Sequence, residues 1–238
     1  MYELEQIKQL YNKVIEAKGK TGSEGEITLG FALSKQLLAS NELDVLNFQY
    51  ECLRDMRSYT AYTTCRAAFG KRKNIEHFLL QKLSIESDTH VRADIVHILG
   101  IIRSNKALGI AKEYLVSDNE YMREVCLYVI GWTGSFDEID LLLQHLLTET
   151  TEKLKTTAGS AMRQIAWKDK ETKEYILKAL KIAFETEQNR NVLSRIIELM
   201  GSVAVKNLGM REAKDDPYIL LGDLDKAIIK TKKFVQTL

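Results

Sequence analysis

The sequence predicts an all-α protein, an α-solenoid of about five to six stacked helix pairs running as one domain over residues 1–238. Three observations carry this reading. The chain holds a single proline, Pro217, and proline is the residue that most often breaks helices and marks linkers. The stretch "SDTHVRADIVHILG" (87–100) is followed by "SDNEYMREVCLYVIG" (117–131), which sets Arg92 over Arg123 and Gly100 over Gly131, both pairs offset by 31 residues. A period of roughly thirty to forty residues with two helical patterns per unit is the mark of a helical repeat array. Apolar residues also recur at helical spacing: Val91, Ile95, Ile98, Leu99 and Ile102 fall on one face of a first helix, and Leu108, Ala111 and Leu115 on one face of a second.

The elements follow in order. A leading helix is predicted over 2–17, with Leu4, Ile7, Tyr11 and Val14 turned inward, then a glycine-rich loop at 18–25. Helix pairs follow at 26–39 with 42–56, 58–70 with 74–84, 89–102 with 106–116, 119–132 with 136–147, and 152–167 with 171–185. In the fourth pair, Ile139, Leu142, Leu143 and Leu146 form the apolar stripe. A further helix at 190–204 precedes an irregular stretch, 205–222, and a last helix at 223–236 carries Leu224, Ala227, Ile228 and Val235 on one side. Start signals accompany these helices: Asp88, Asn105 and Asp118 stand at N-cap positions, while Ser135 with Glu138, and Ser23 with Glu26, fit capping boxes. The odd ends suit the capping role that terminal repeats play.

The recurring unit, an acidic turn, then "x-x-V-R", then small apolar residues and "L-G", resembles the HEAT-like repeats first noted in phycobilin lyases. It is met by Asp88, Val91, Arg92, Leu99 and Gly100, and with departures by Asp118, Met122, Arg123, Ile130 and Gly131. The likeness covers roughly 87–147. Further on, Lys155 stands at the arginine position and Arg163 where glycine is expected. The resemblance implies a right-handed solenoid of HEAT-like pairs with atypical capping helices at both ends. Function must be sought in the surface, since one fold serves many tasks.

Composition narrows the classes. The net charge is +1, from 34 basic and 33 acidic side chains, which argues against nucleic acid as the partner. No apolar run reaches the length of a membrane span, about 18 residues. Three widely spaced cysteines, Cys52, Cys65 and Cys126, read as buried reduced thiols in a cytoplasmic protein. "GKT" at 19–21 lacks the upstream glycine of a phosphate loop, Val14 standing in its place. His77, His90, His97 and His145 lack metal-ligand spacing and read as exposed or capped. No cofactor, metal or catalytic residue is assigned. "KRK" at 71–73 reads as a solvated turn, and "EAKDD" at 212–216 as its acidic counterpart.

The aromatic residues stand apart. Trp132 and Trp167 close the first helices of two successive pairs, and Arg163 lies one turn before Trp167. With Tyr114, Tyr121, Tyr128 and Tyr175 nearby in sequence they make the Trp–Tyr–Arg composition of a binding hot spot, and Tyr114, Trp132, Arg163, Trp167 and Tyr175 are the candidate partner-binding residues. The expected function is therefore a non-catalytic protein-binding module that uses the concave face of its solenoid, lined mainly by second helices, to hold another protein. A toxin neutralised by a bacterial immunity protein is the specific case. The alternative is a HEAT-like alkylpurine DNA glycosylase, with Trp132, Arg163, Trp167 and Asp137 around a damaged nucleotide. A bilin lyase would require a bilin pocket that the sequence does not locate.

Overall fold

The computed structural model describes residues 2–17 and 22–238, so the "GKT" segment and the side chain of Ser23 lie outside the described residues. The chain divides into two compact units, Met1–Ser104 and Asn105–Leu238. Among the described residues nearly all regular structure is helical, as predicted, with one small two-stranded sheet. No helix among them is long and apolar enough to cross a membrane.

The first unit contains α1 (Tyr2–Ala17), α2 (Gly22–Ala39), α3 (Leu43–Glu51), α4 (Tyr59–Phe69), α5 (Glu76–Ile85) and α6 (Thr89–Ile101). Helix α1 packs on α2 and α4, α3 on α4, α4 on α6, and α5 on α6. The stripe predicted for α1 does what its spacing implies: Ile7, Tyr11 and Val14 are buried against Leu33, Leu37, Val45, Ala61 and Cys65. Each fully buried aliphatic side chain here is worth about 1.5–3 kcal/mol. Helix α2 starts at Gly22, four residues earlier than expected, so Ser23 falls inside the helix.

The turn "KRK" corrects the reading of a solvated cluster. Lys71 and Lys73 are exposed, but Arg72 is only 6% exposed. Its guanidinium donates to the carbonyls of Leu37 and Ser40, to Gln49 Oε1 through two nitrogens (3.0 and 2.8 Å), and to Asn41 Oδ1. Gln49 in turn donates to the Cys65 carbonyl at 2.7 Å. The arginine closes the C-terminal end of α2, where unpaired carbonyls and the helix dipole favour a cation.

The second unit contains α7 (Ala107–Tyr114), α8 (Glu120–Thr133), α9 (Ile139–Thr148), α10 (Glu152–Lys168), α11 (Lys173–Thr186), α12 (Arg190–Ala204), β1 (Met210–Glu212), β2 (Leu220–Gly222) and α13 (Leu224–Val235). First helices contact in series, α8 on α10 and α10 on α12, while α9 contacts α11 and α13 lies on α12. Glycine at 131 permits the α8–α10 approach: a Cβ there would lie 2.9 Å from Ala161 Cα.

Caps form where the sequence places them, with two shifts. Asp88 caps α6 and the Ser135–Glu138 box is complete. At the start of α8 it is Asn119, not Asp118, that accepts from the third residue's amide, and α7 follows Lys106 without a side-chain cap, so Asn105 is no cap. Cys52, Cys65 and Cys126 are buried free thiols.

A device unforeseen in the sequence recurs in both units. Glu86, Glu149 and Glu187 each follow the last residue of a second helix and are each clamped by a base from an earlier helix or turn: Arg54, Arg123 and Lys155. Glu86 and Glu187 also accept backbone amides two residues on, from Asp88 and Asn189. Burial pushes all three carboxyls up, but hydrogen bonds and the paired cations outweigh it and hold them below the usual range. His97 departs from the exposed-histidine reading. It is half-buried on α6, and burial, with Arg66 nearby, holds its imidazole down at about 4 against a pull from Asp94.

Acid is therefore expected to destabilise the protein in two stages. The unfolded chain takes up a proton at residue 97 near pH 6.5 and the folded chain only near 4, so stability falls as pH drops through that window, by about 2 kcal/mol between pH 7 and pH 5. Below the ordinary carboxylate range, protonation of Glu86, Glu149 and Glu187 removes more. Urea midpoints at pH 7 and 5 should differ accordingly, and His97→Leu should flatten that interval; an unchanged slope in the variant would refute the assignment.

Candidate functional site: a groove over the first helices

Helices α8, α10 and α12 lie side by side and turn polar residues outward along one face. Glu124 and Tyr128 stand one turn apart on α8, Lys153 and Thr156 on α10, and Arg195 on α12. The β1–β2 hairpin walls this face with Met210, Tyr218 and Leu220, enclosing a groove of about 640 Å³. A second hollow of about 630 Å³ lies between the hairpin and the C-terminal end of α12, lined by Glu198, Lys206, Arg211 and Glu212 among others. This groove belongs to first helices, whereas the sequence reading set the binding face mainly on second helices.

The hairpin occupies the stretch read as irregular. Its antiparallel register pairs Met210 with Gly222 and Glu212 with Leu220. Gly222, at φ +146°, has no room for a Cβ, which would lie 2.1 Å from the Gly209 carbonyl oxygen. Arginines fasten the hairpin to the helices. Arg195 donates to the carbonyls of Pro217 (2.8 Å) and Tyr218 (3.4 Å) and pairs with Glu212 at 2.8 Å. Arg163 spans Glu198 at 2.9 Å and Glu212 at 3.0 Å. Burial pushes the Glu198 carboxyl up, with Arg163 and Arg195 pulling it back and Glu212 adding to the rise.

Electrostatics within the groove are self-contained on the cationic side. Lys153 Nζ lies 2.6 Å from Glu124, and Arg195 is committed as above. The Tyr128 hydroxyl donates to Glu124 at 3.4 Å and is within hydrogen-bonding reach of Thr157 and Tyr218. Burial, with Glu124 beside it, pushes that phenol up to about 12, so it remains a donor at neutral pH. The Glu152 carboxylate takes hydrogen bonds from the amides of Asn189 (2.6 Å) and Asn191 (3.1 Å).

The five residues singled out from sequence separate into four places. Arg163 and Trp167 meet as expected, the guanidinium 4.9 Å from the ring centre, and Trp167 is 60% exposed. Trp132 is half-buried and stacks on Tyr128 (6.1 Å, 19°), so it backs the groove. Tyr175 turns instead to the start of α9, packing on Phe136 at 4.8 Å and donating to Asp140 at 2.9 Å. Tyr114 ends α7, six residues before the start of α8, and that start lies about 18 Å along α8 from Trp132. Asp137 is exposed in the single 3₁₀ turn at 136–138.

Sequence reasoning missed Lys153, Arg195 and Tyr218 as groove residues, while Tyr128, named from sequence among the nearby aromatics, does line the groove one turn before Trp132. Tyr218 was not recoverable, since nothing local fixes how the hairpin folds back. Among the described residues no group of three or more His, Cys, Asp and Glu side chains is arranged to hold a metal ion. No protein-family model matches the chain, and no curated protein matches it.

Proposed function

We propose that the chain is a non-catalytic protein-binding module built from HEAT-like helix pairs, acting in the cytoplasm, with the groove over α8, α10 and α12 as its docking face. The serial contacts of α8, α10 and α12, the pairing of α9 with α11, and the recurring carboxylate clamp support a HEAT-like arrangement within the second unit, whose right hand is part of the proposal. The observation that carries the binding reading is the charge state of the groove: its cations, Lys153 and Arg195, are already held by carboxylates, while Tyr218 is exposed on the hairpin and Tyr128, Glu124 and Glu152 line the same groove. A nucleic-acid groove needs a row of cations available to phosphates. The glycosylase alternative also requires Arg163 to leave Glu198 and Glu212. An inhibitor that covers a toxin's working surface, as immunity proteins do, is the specific form we favour.

The test is affinity capture from the native cells with the wild-type chain and with Tyr218→Ala. One protein recovered in stoichiometric amount is expected, and loss of an aromatic anchor should weaken it by about 2 kcal/mol, roughly thirtyfold. Recovery of nucleic acid instead, released as salt rises, would overturn the reading in favour of repair.

A further inference from the structure

The groove is not neutral in what it offers. Glu124 and Glu152 line it with Tyr128 and Tyr218, and Glu120, accepting from Thr151 at 3.2 Å, extends the acidic side toward the start of α10. Glu152 takes its hydrogen bonds from neutral amides, and Tyr218 is 83% exposed. Against these stand Arg195, which is held by Glu198 and Glu212, and Lys153, a flexible side chain 61% exposed whose ammonium reaches Glu124. Lys153 thus occupies the place of a cation beside a carboxylate, in a groove that two tyrosines also line. A carboxylate with aromatic faces is the setting that takes guanidinium or ammonium groups, by charge-assisted hydrogen bonds and by cation–π attraction.

We propose that this groove receives a basic side chain, arginine in first place, projected by a cationic segment of a partner protein, and that Lys153 is the internal stand-in the partner displaces. This rests on the protein-binding reading above and names the chemistry of its partner. Charge complementarity selects the occupant. An acidic segment or a phosphate would face Glu120, Glu124 and Glu152, whereas an arginine can take the place of the Lys153 ammonium at Glu124, with Glu152, Tyr128 and Tyr218 lining the same groove.

The experiment uses the full chain carrying Trp167→Phe, which leaves Trp132, stacked on Tyr128, as the single tryptophan reporter. Octa-arginine is titrated with Trp132 fluorescence as readout, and octa-glutamate serves as comparison. Octa-arginine should bind, the Glu124→Gln/Glu152→Gln double variant should weaken it by roughly tenfold, and Lys153→Met should strengthen it. Circular dichroism establishes that each variant is folded. Equal affinity in the double variant, no gain with Lys153→Met, or equal binding of octa-glutamate would each overturn the proposal. The two readings fail separately. A native partner held undiminished by the double variant removes the basic-side-chain site and leaves the module standing. Groove-specific octa-arginine binding with no protein captured from cells does the reverse.

Discussion

Replacing Arg72 by methionine is expected to cost the Met1–Ser104 unit about 3–5 kcal/mol, a large share of the margin of an ordinary domain. Methionine fills much of the same volume, so packing alone would predict a small change. The polar ledger decides otherwise. The substitution leaves the buried carbonyls of Leu37 and Ser40 and the Gln49 side chain without their donor, and each stranded acceptor costs about 1–3 kcal/mol. Gln49 also anchors the Cys65 carbonyl of α4, so the loss spreads from the end of α2 into the core shared with α1. Arg72→Lys should recover little, because one ammonium cannot cover both the helix-end carbonyls and Gln49 as the planar fork does. Urea unfolding read by exchange of α2 and α4 amides measures this; a shift below about 1 kcal/mol would mean that water replaces the guanidinium at no great cost.

That arginine also shows where sequence reading stops. Helix positions were legible because they rest on local quantities: apolar spacing set the inward stripe of α1, and the Ser135–Glu138 spacing set a cap that forms as drawn. The role of "KRK" was not legible, because the charge of a three-residue turn says nothing of which helix end lies over it. The same limit divided the aromatic residues. Arg163 and Trp167 share a face of one helix, so their contact could be read from spacing. The destinations of Tyr175 and Tyr114 depend on which neighbour each helix leans upon, a tertiary property. The hairpin escaped notice because its strands are three residues long and its anchors, Arg195 and Arg163, lie on other elements. The groove was out of reach for that reason, since it exists only once the hairpin is pinned beside α12.

Gly131→Ala and Gly109→Ala should have opposite signs, although both place alanine for glycine within a helix. Intrinsic propensity favours alanine by about 1 kcal/mol at each position. At Gly109, exposed on α7, an added Cβ meets nothing within 4 Å, so a gain of about 0.5–1 kcal/mol is expected. At Gly131 the Cβ would stand 2.9 Å from Ala161 Cα and 2.5 Å from Gln164 Oε1. The glutamine tip can swing aside, but a backbone carbon cannot without moving α10. Overpacking of this kind costs about 1–3 kcal/mol, which offsets the propensity gain and leaves a net loss. A leucine at 131 should cost more again, because its whole side chain must enter the α8–α10 seam. Trp132 adjoins the site, so its fluorescence in a urea titration reports the outcome directly. A stabilised Gly131→Ala would mean that α8 and α10 part easily, and the close stacking of first helices on which the groove depends would lose its support.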